Sequence, residues 1–334
     1  MHPPAMTKYL DAELEPLRDL VRLRATPLGR VFRRSDLIAW GLPGDTVIPM
    51  TRRDWWVRLH HGVYADSRDV GDDPSEAGQH ALLCAAGIRA LREPAYAFGP
   101  SAASLHGLSL PRGLLNTVHL VRPQGLEGRS LSRLVTATDR LPPAVVRTQR
   151  LTSEDVTEVG GVPVVVPALA AVSAAVLARH DWIVAILDSA AWTAPDNLPL
   201  MAQYAQGLQH LAGIGEVRAA LPLVRSGAQT PLESLSRVRL MRCGLPEPRL
   251  QVPFYDDQGL IGIVDMYWEE LGVIGEADGL LKYRTGADLL AEKRREDRLR
   301  RKMPVVRWDW ALMWNSPQVI AEWVWSAAAS QRSA

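Results

Sequence analysis

The chain has 334 residues, a length that accommodates two or three domains. Its residues are 47% hydrophobic and 22% charged, an ordinary globular composition, and its net charge of +1 excludes a general electrostatic attraction to nucleic acid. The sequence contains neither a secretory signal nor an apolar run of about 18 residues, so we expect a cytoplasmic protein without membrane contact.

The first part of the chain is predicted to form three helices followed by a β-hairpin. Leucines on one side of the first segment indicate an amphipathic helix, and alternating residues around His60-His61-Gly62 indicate two strands. This order is that of a winged helix-turn-helix, which we assign to residues 7–68. The predicted helices cover residues 7–23, 34–40 and 45–54, and the predicted strands cover residues 55–59 and 63–65.

The hairpin also carries a family resemblance. The run from Arg58 to Ala65, R-L-H-H-G-V-Y-A, resembles the wing of the N-terminal domain in AbiEi-like antitoxins of type IV toxin–antitoxin systems. This resemblance implies DNA as a partner, and it implies a cognate toxin or another protein as a second kind of partner.

Residues 21–60 carry a local excess of positive charge, with eight arginines against three aspartates. Because phosphate contacts supply most of the non-specific affinity for DNA, this excess favours DNA binding. A protein-interaction domain with a solvated basic face is the alternative. The predicted DNA contacts in this segment are Arg33, Arg34, Arg52, Arg53 and Arg58.

A middle α+β domain is predicted at residues 76–224, after a polar linker. The runs S-A-A-S-L-H-G-L, V-H-L-V-R-P and G-V-P-V-V-V-P weakly extend the family resemblance into this domain. No catalytic constellation is found in it, and His106 is predicted to be a satisfied core histidine. We expect the domain to set the distance and angle between the two ends of the chain.

Near the C-terminus, two alternating segments predict a hairpin with two facing carboxylates. If residues 269–272 form a four-residue loop, Trp268 pairs with Val273 and Asp265 lies opposite Glu276. Like charges at such positions are destabilising, and a cation between them would remove that cost. Carboxylate oxygens are preferred by Mg²⁺ or Mn²⁺. The alternative is that these acids lie at strand ends on a solvated face.

The same segment resembles the PD-(D/E)XK restriction-endonuclease-like superfamily, in particular the branch near the very-short-patch-repair endonucleases. The resemblance rests on Asp265, on Glu276-Ala277-Asp278-Gly279 and on Lys282-Tyr283. An upstream helix opening at Pro231, a following basic helix and the strand at Val305 also fit. It implies an α/β nuclease domain at residues 228–330, and a multi-domain α/β protein as a whole.

The resemblance implies roles for individual residues. Asp265, Glu276 and the backbone carbonyl of Ala277 would hold Mg²⁺ or Mn²⁺, and Asp278 would add a ligand or orient the water. The superfamily usually has a lysine at the position of Asp278, so Lys282, with Lys293 as the second choice, would supply the positive charge.

Glu233 has two interpretations that are compatible with each other. It follows Thr230 by three residues and Pro231 by two, which is the pattern of a capped helix start. The resemblance gives it a role in orienting the metal or the attacking water.

The helix predicted after the hairpin, residues 287–302, is strongly basic. Residues 292–302 hold seven basic and three acidic side chains, which favours contact with a phosphate backbone and adds Arg294 and Arg298 to the predicted DNA contacts. Acidic and basic side chains four residues apart make a solvated helix the alternative.

The sequence therefore predicts a DNA-binding protein with a Mg²⁺-dependent DNA endonuclease domain, of the kind used in DNA repair or phage defence. The main alternative is a non-catalytic, antitoxin-like transcriptional repressor with a degenerate nuclease fold. An RNA-targeting or defence nuclease using the same residues is a third hypothesis.

Overall fold

The computed structural model describes most of the chain in two compact units, Met1–Ala178 and Arg179–Ala334. Residues 179–224, which the sequence analysis joined to the middle domain, belong to the second unit, because the helix that begins there packs against the helix predicted to open the nuclease domain. No described helix is long and apolar enough to cross a membrane. The described residues are 6–71, 76–91, 93–124, 133–135, 143–278 and 286–332.

The first unit opens with the predicted helices and hairpin, and a short additional strand pairs with the hairpin. The three strands form an antiparallel sheet in the order β1-β3-β2. The third helix is shorter than predicted, because residues 44–46 form a 3-10 turn and Asp54 leaves the helical conformation at φ 57°. The elements are α1 (Met6–Ala25), β1 (Val31–Arg33), α2 (Arg34–Ala39), α3 (Val47–Arg52), β2 (Trp56–His60), β3 (Val63–Asp66) and α4 (Ser67–Gly71).

Aromatic packing and one buried ion pair hold these elements together. Phe32 of β1 meets Trp56 of β2 edge to face, with ring centroids 4.7 Å apart. Arg18 of α1 donates from Nε to Asp66 Oδ2 of β3 at 2.8 Å, and both side chains are buried. Burial alone would raise the pKa of Asp66, but hydrogen bonds from Arg18 and Arg68 lower it.

In the rest of the first unit, the described residues form a six-stranded mixed sheet and three α-helices. The strand order is β6-β7-β5-β4-β9-β8, and the pairs β5–β7 and β4–β9 are parallel. His106 Nε2 lies 2.7 Å from the carbonyl oxygen of Val165, so the predicted hydrogen bonding is confirmed, but the side chain is half-buried and not in the core. The elements are α5 (Glu76–Ala90), β4 (Tyr96–Ala97), α6 (Gly99–Leu105), β5 (Val118–Pro123), β6 (Arg133–Val135), β7 (Ala144–Gln149), β8 (Val156–Val159), β9 (Val162–Val165) and α7 (Pro167–Ala175).

Two glycines allow the six-stranded sheet to approach the turn after α1. A Cβ on Gly161 would lie 2.6 Å from the backbone nitrogen of Gly29, and a Cβ on Gly29 would lie 2.7 Å from Ala85 Cβ. Both glycines also have positive φ, at 79° and 71°. The two backbones therefore meet at a distance that side chains at these positions would prevent.

The second unit contains seven helices and one four-stranded sheet among its described residues. The sheet has the order β10-β11-β12-β13, with β13 parallel to β12 and the other pairs antiparallel. The elements are α8 (Asp181–Thr193), α9 (Asn197–Gly207), α10 (Ile214–Ala220), α11 (Pro231–Arg242), β10 (Arg249–Asp256), β11 (Gly259–Trp268), β12 (Val273–Ala277), α12 (Gly286–Lys302), β13 (Val305–Trp308), α13 (Trp310–Asn315) and α14 (Pro317–Arg332).

Apolar side chains cover both faces of this sheet. Val273 of β12 packs in a core with residues of α11 and α14, whereas its neighbour Ile274 packs in a second core with Leu299 of α12. Successive strand residues point to opposite faces, so α12 covers one face, and α11 and α14 cover the other. Along β12, Val273, Ile274, Gly275 and Glu276 are all buried, so a carboxylate on this strand is shielded from bulk water.

Candidate functional site

The register of the β11–β12 hairpin is the predicted one. Trp268 pairs with Val273, and the ladder continues to Met266 and Gly275. The next position back brings Asp265 opposite Glu276, and Asp265 Oδ2 accepts a hydrogen bond of 2.8 Å from the backbone nitrogen of Ala277. Residues directly opposite each other share a face of the sheet. The two carboxylates are therefore neighbours on one face.

Glu276 is a buried carboxylate with one close cationic partner. Its side chain is 7% exposed, and its Oε1 lies 3.0 Å from Nη2 of Arg295 on α12. Burial raises the pKa of Glu276 to about 7; Asp265 adds to the rise, and Arg295 opposes it. The arginine therefore does not fully compensate the negative charge at this position.

The pKa of Asp265 is also raised. Burial raises its pKa, the hydrogen bond from Ala277 and the charge of Arg295 oppose the rise, and Asp278 adds to it. Two neighbouring carboxyl groups with raised pKa values indicate a place where additional positive charge would be stabilised.

Glu233 lies at the start of α11 and is engaged in the predicted cap. The hydroxyl of Thr230 donates to its Oε1 at 2.8 Å, and Thr230 Oγ1 in turn accepts from the Glu233 nitrogen at 3.2 Å. The other carboxylate oxygen, Oε2, accepts from the Gln229 nitrogen at 2.9 Å and from Gln251 Nε2 at 3.0 Å. Burial raises the pKa of Glu233, and the charge of Asp265 contributes to the rise. Glu233 therefore combines a capping role with proximity to the carboxylate pair.

Asp278 lies at the end of β12 and belongs to a second group of charges. Arg307 of β13 lies 3.8 Å from Asp278 Oδ2, 2.8 Å from Glu292 Oε1 and 3.4 Å from Glu296 Oε2. Burial raises the pKa of Asp278, and Arg307 opposes the rise. Three acids thus share one arginine beside the Asp265–Glu276 pair.

Among the described residues, Arg295 is the cation in contact with the carboxylate pair, and it was not among the predicted residues. Lys282 lies outside the described residues, and Lys293 is exposed on α12. Arg295 contacts Glu276, donates to the carbonyl oxygen of Ile263 at 2.9 Å and pairs with Glu292 at 3.0 Å. Gly262 makes room for it, because a Cβ there would lie 2.5 Å from Arg295 Nε.

A signal for Arg295 was present in the spacing of the basic helix. Glu292, Arg295, Glu296 and Leu299 are three or four residues apart and so share one helix face. Leu299 is fully buried, which shows that this face points to the sheet. Gln251, by contrast, had no signal in the sequence, because its approach to Glu233 depends on how β10 crosses the start of α11.

Some of the arginines predicted to contact DNA bind other groups of the protein, and others have exposed side chains. Arg33 donates to the carbonyl oxygen of Leu91 at 3.0 Å, and Arg53 donates to that of Pro49 at 3.2 Å. Arg298 is paired with Asp256, with Nε 2.7 Å from Oδ2. Exposed guanidinium groups are found at the remaining predicted positions, which are Arg34, Arg52, Arg58 and Arg294.

The carboxylates of Asp265 and Glu276 fit a hard divalent cation that takes only some of its ligands from the protein. Mg²⁺ is usually bound through one or two carboxylates, with waters and substrate phosphate completing its shell. Asp265 and Glu276 supply two such groups, with the undercompensated charge described above. Among the described residues, no group of three or more His, Cys, Asp or Glu side chains is arranged around one metal position.

Comparison with known proteins gives short partial matches. The chain is 30% identical over 83 residues to the uncharacterized protein MT2308 of Mycobacterium tuberculosis (strain CDC 1551 / Oshkosh). It matches the uncharacterized protein Rv2248 of Mycobacterium tuberculosis (strain ATCC 25618 / H37Rv) to the same extent. In each case the match covers 25% of this chain and 31% of the relative. No protein-family model matches the chain.

Proposed function

We propose that this chain is a DNA-binding protein whose second unit carries a Mg²⁺- or Mn²⁺-dependent endonuclease site. The observation that supports it most directly is the pair Asp265 and Glu276, two neighbouring carboxylates that burial holds at raised pKa. The order α11, hairpin, basic α12 and β13 also agrees with the order of elements on which the nuclease resemblance was based.

The residues around this pair have distinct tasks in the proposed reaction. Asp265 and Glu276 would hold the metal, which supplies an acidified water and stabilises charge on the scissile phosphate. Glu233, held by Thr230 and Gln229, would orient the attacking water. Arg295, which contacts Glu276, would supply positive charge beside the phosphate.

The first unit supports the DNA-binding part of the proposal. Its three helices and hairpin carry Arg34, Arg52 and Arg58 with exposed side chains. Guanidinium groups of this kind bind phosphates without reading base sequence. We therefore propose that this unit binds duplex DNA through the backbone; a toxin or other protein partner and a cytoplasmic location stay predictions.

Substitution of the carboxylate pair tests the nuclease site. Asp265→Asn and Glu276→Gln should each lower Mg²⁺-dependent cleavage of duplex DNA by at least ~100-fold, because each removes a charged ligand. The measurement is gel-based cleavage with the full chain in Mg²⁺ or Mn²⁺. Binding to the same duplex, measured by fluorescence anisotropy, should stay unchanged.

Glu269→Gln is the matched control, since Glu269 lies in the loop of the same hairpin and its side chain is 64% exposed. It should cleave like the wild type. Equal cleavage by the wild type and both site variants would contradict the proposed site.

A non-catalytic repressor is the second candidate function. It is favoured by Arg295, which already gives Glu276 a cationic partner without a metal. Under this hypothesis the wild type binds duplex DNA but cleaves no nucleic acid in Mg²⁺ or Mn²⁺. The substrates to be tested are duplex, single-stranded and mismatched DNA, and RNA. Cleavage of RNA alone would instead support the RNA-targeting alternative.

A further inference from the structure

Gln251 has a backbone conformation that its position in a strand does not explain. It lies inside β10 at φ 51°, in the left-handed region that residues other than glycine rarely adopt. The four described non-glycine residues with positive φ are Arg30, Asp54, His180 and Gln251, and only Gln251 lies within a strand.

Gln251 lies directly opposite Asp265, the member of the carboxylate pair on the neighbouring strand β11. Leu250 pairs with Met266 and Val252 pairs with Val264, so Gln251 lies across from Asp265, and it is the one residue in this stretch that makes no regular ladder pair. Strain of this kind persists only where surrounding contacts over-determine the conformation, and it is concentrated at functional sites.

The contacts that hold Gln251 are made by its side-chain amide. Nε2 donates to Glu233 Oε2 at 3.0 Å, and the ladder register brings the same residue across from Asp265, whose pKa the Gln251 side chain lowers. These two carboxylates come from different elements, Glu233 from the first turn of α11 and Asp265 from the middle of β11. Gln251 therefore connects the helix start to the hairpin at the proposed metal site.

We propose that Gln251 is a positioning residue, whose left-handed backbone directs its amide between Glu233 and Asp265 and so sets their separation for a divalent cation. This inference rests on the proposed function, because it requires the proposed metal site. It adds to that site a residue, Gln251, that neither the motif nor the spacing of the acids contains. A merely structural glutamine would stabilise the fold without affecting metal affinity.

Two substitutions separate the side chain from the backbone. Gln251→Ala removes the amide and keeps the strained φ, whereas Gln251→Gly removes the amide and relieves the strain. Both variants should bind Mn²⁺ about tenfold more weakly than the wild type, as measured on the full chain without nucleic acid by electron paramagnetic resonance. Gln251→Gly should also unfold at a higher temperature than Gln251→Ala.

Gln258→Ala is the control, because Gln258 is an exposed glutamine in the turn between β10 and β11. In cleavage assays the two Gln251 variants should lose kcat and retain the KM for DNA. Unchanged Mn²⁺ affinity in either variant would overturn the proposal, and so would a wild type that binds no Mn²⁺.

The result distinguishes this inference from the proposed function. If the wild type cleaves DNA and both variants keep full Mn²⁺ affinity, the nuclease stands and the role of Gln251 is overturned. If the wild type binds Mn²⁺ but cleaves no nucleic acid, the nuclease is overturned, and weaker binding by both variants still supports the positioning role.

Discussion

The buried side chain of His80 has an identifiable hydrogen-bond partner in the first unit. His80 is buried on α5, and its Nε2 lies 2.7 Å from Ser101 Oγ. Ser101 Oγ also accepts a hydrogen bond of 2.8 Å from the His119 nitrogen. Burial lowers the pKa of His80 to about 4, and a hydrogen bond to the Leu115 backbone opposes the shift. A neutral imidazole is thus part of the folded state of the first unit.

The stability of the first unit should therefore depend on pH through His80. Because its folded pKa is below the unfolded value of about 6.5, its contribution is present above pH 6.5 and is lost as the pH falls towards 4. The largest loss from this group is about 3 kcal/mol. In His80→Gln, urea unfolding followed by circular dichroism should show a smaller loss of stability between pH 7 and pH 4.

His210→Gln, at an exposed position, is the matched control and should lose stability with falling pH as the wild type does. A His80→Gln variant with the same pH dependence as the wild type would rule out this histidine as the source.

At the scale of elements, one buried ion pair joins α8 to α11. Nη2 of Arg237 lies 3.0 Å from Asp188 Oδ2, and both side chains have no exposed surface. Arg237 also lies 3.2 Å from Glu247, and Asp188 accepts a hydrogen bond of 2.7 Å from the Arg225 nitrogen. This contact explains why the helices after residue 178 belong to the second unit.

Removal of Asp188 should leave the buried Arg237 with only the partly exposed Glu247 as an anionic partner. Asp188→Ala should lower the free energy of unfolding of the second unit by about 3–5 kcal/mol. The double variant Asp188→Leu/Arg237→Met should lose much less, since it leaves no buried charge. Guanidinium-induced unfolding followed by tryptophan fluorescence measures both effects.

Asp257→Ala, at an exposed position in the turn after β10, should change the stability by no more than about 0.5 kcal/mol. If Asp188→Ala lowered the free energy of unfolding as little as this control, the ion pair would not be a determinant of the packing of α8 on α11.

For the molecule as a whole, the net charge of +1 means that the proposed DNA affinity would have to come from local surfaces. Exposed positive charges in the first unit are found at Arg34, Arg52 and Arg58, and α12 carries further exposed basic residues in the second. Affinity from these surfaces should depend strongly on salt, because each phosphate contact releases a counterion.

The double variant Arg52→Gln/Arg58→Gln tests this expectation. If both arginines contact phosphates, the slope of log K against log [salt] should become shallower by about 2 for a duplex of arbitrary sequence. Anisotropy titrations of the full chain between low and physiological salt give the slope. Arg112→Gln, an exposed arginine outside the three-stranded sheet, should leave it unchanged, and an unchanged slope in the double variant would exclude these phosphate contacts.

The sequence by itself determined the two strands of the β11–β12 hairpin and their register. Period-2 alternation and a four-residue loop sufficed to bring Asp265 opposite Glu276, and Thr230 three residues before Glu233 sufficed for the helix cap. These features depend on residues close together in the chain, where backbone geometry limits the alternatives.

Only the tertiary structure decided which distant side chains complete the candidate site. Arg295 reaches Glu276 because Leu299 packs one face of α12 on the sheet. Gln251 reaches Glu233 from a position of β10 whose backbone has left-handed φ. The assignment of α8 to the second unit likewise depends on Arg237, 49 residues away in the chain from Asp188. Such contacts depend on how separate elements pack, and local sequence patterns do not encode that packing.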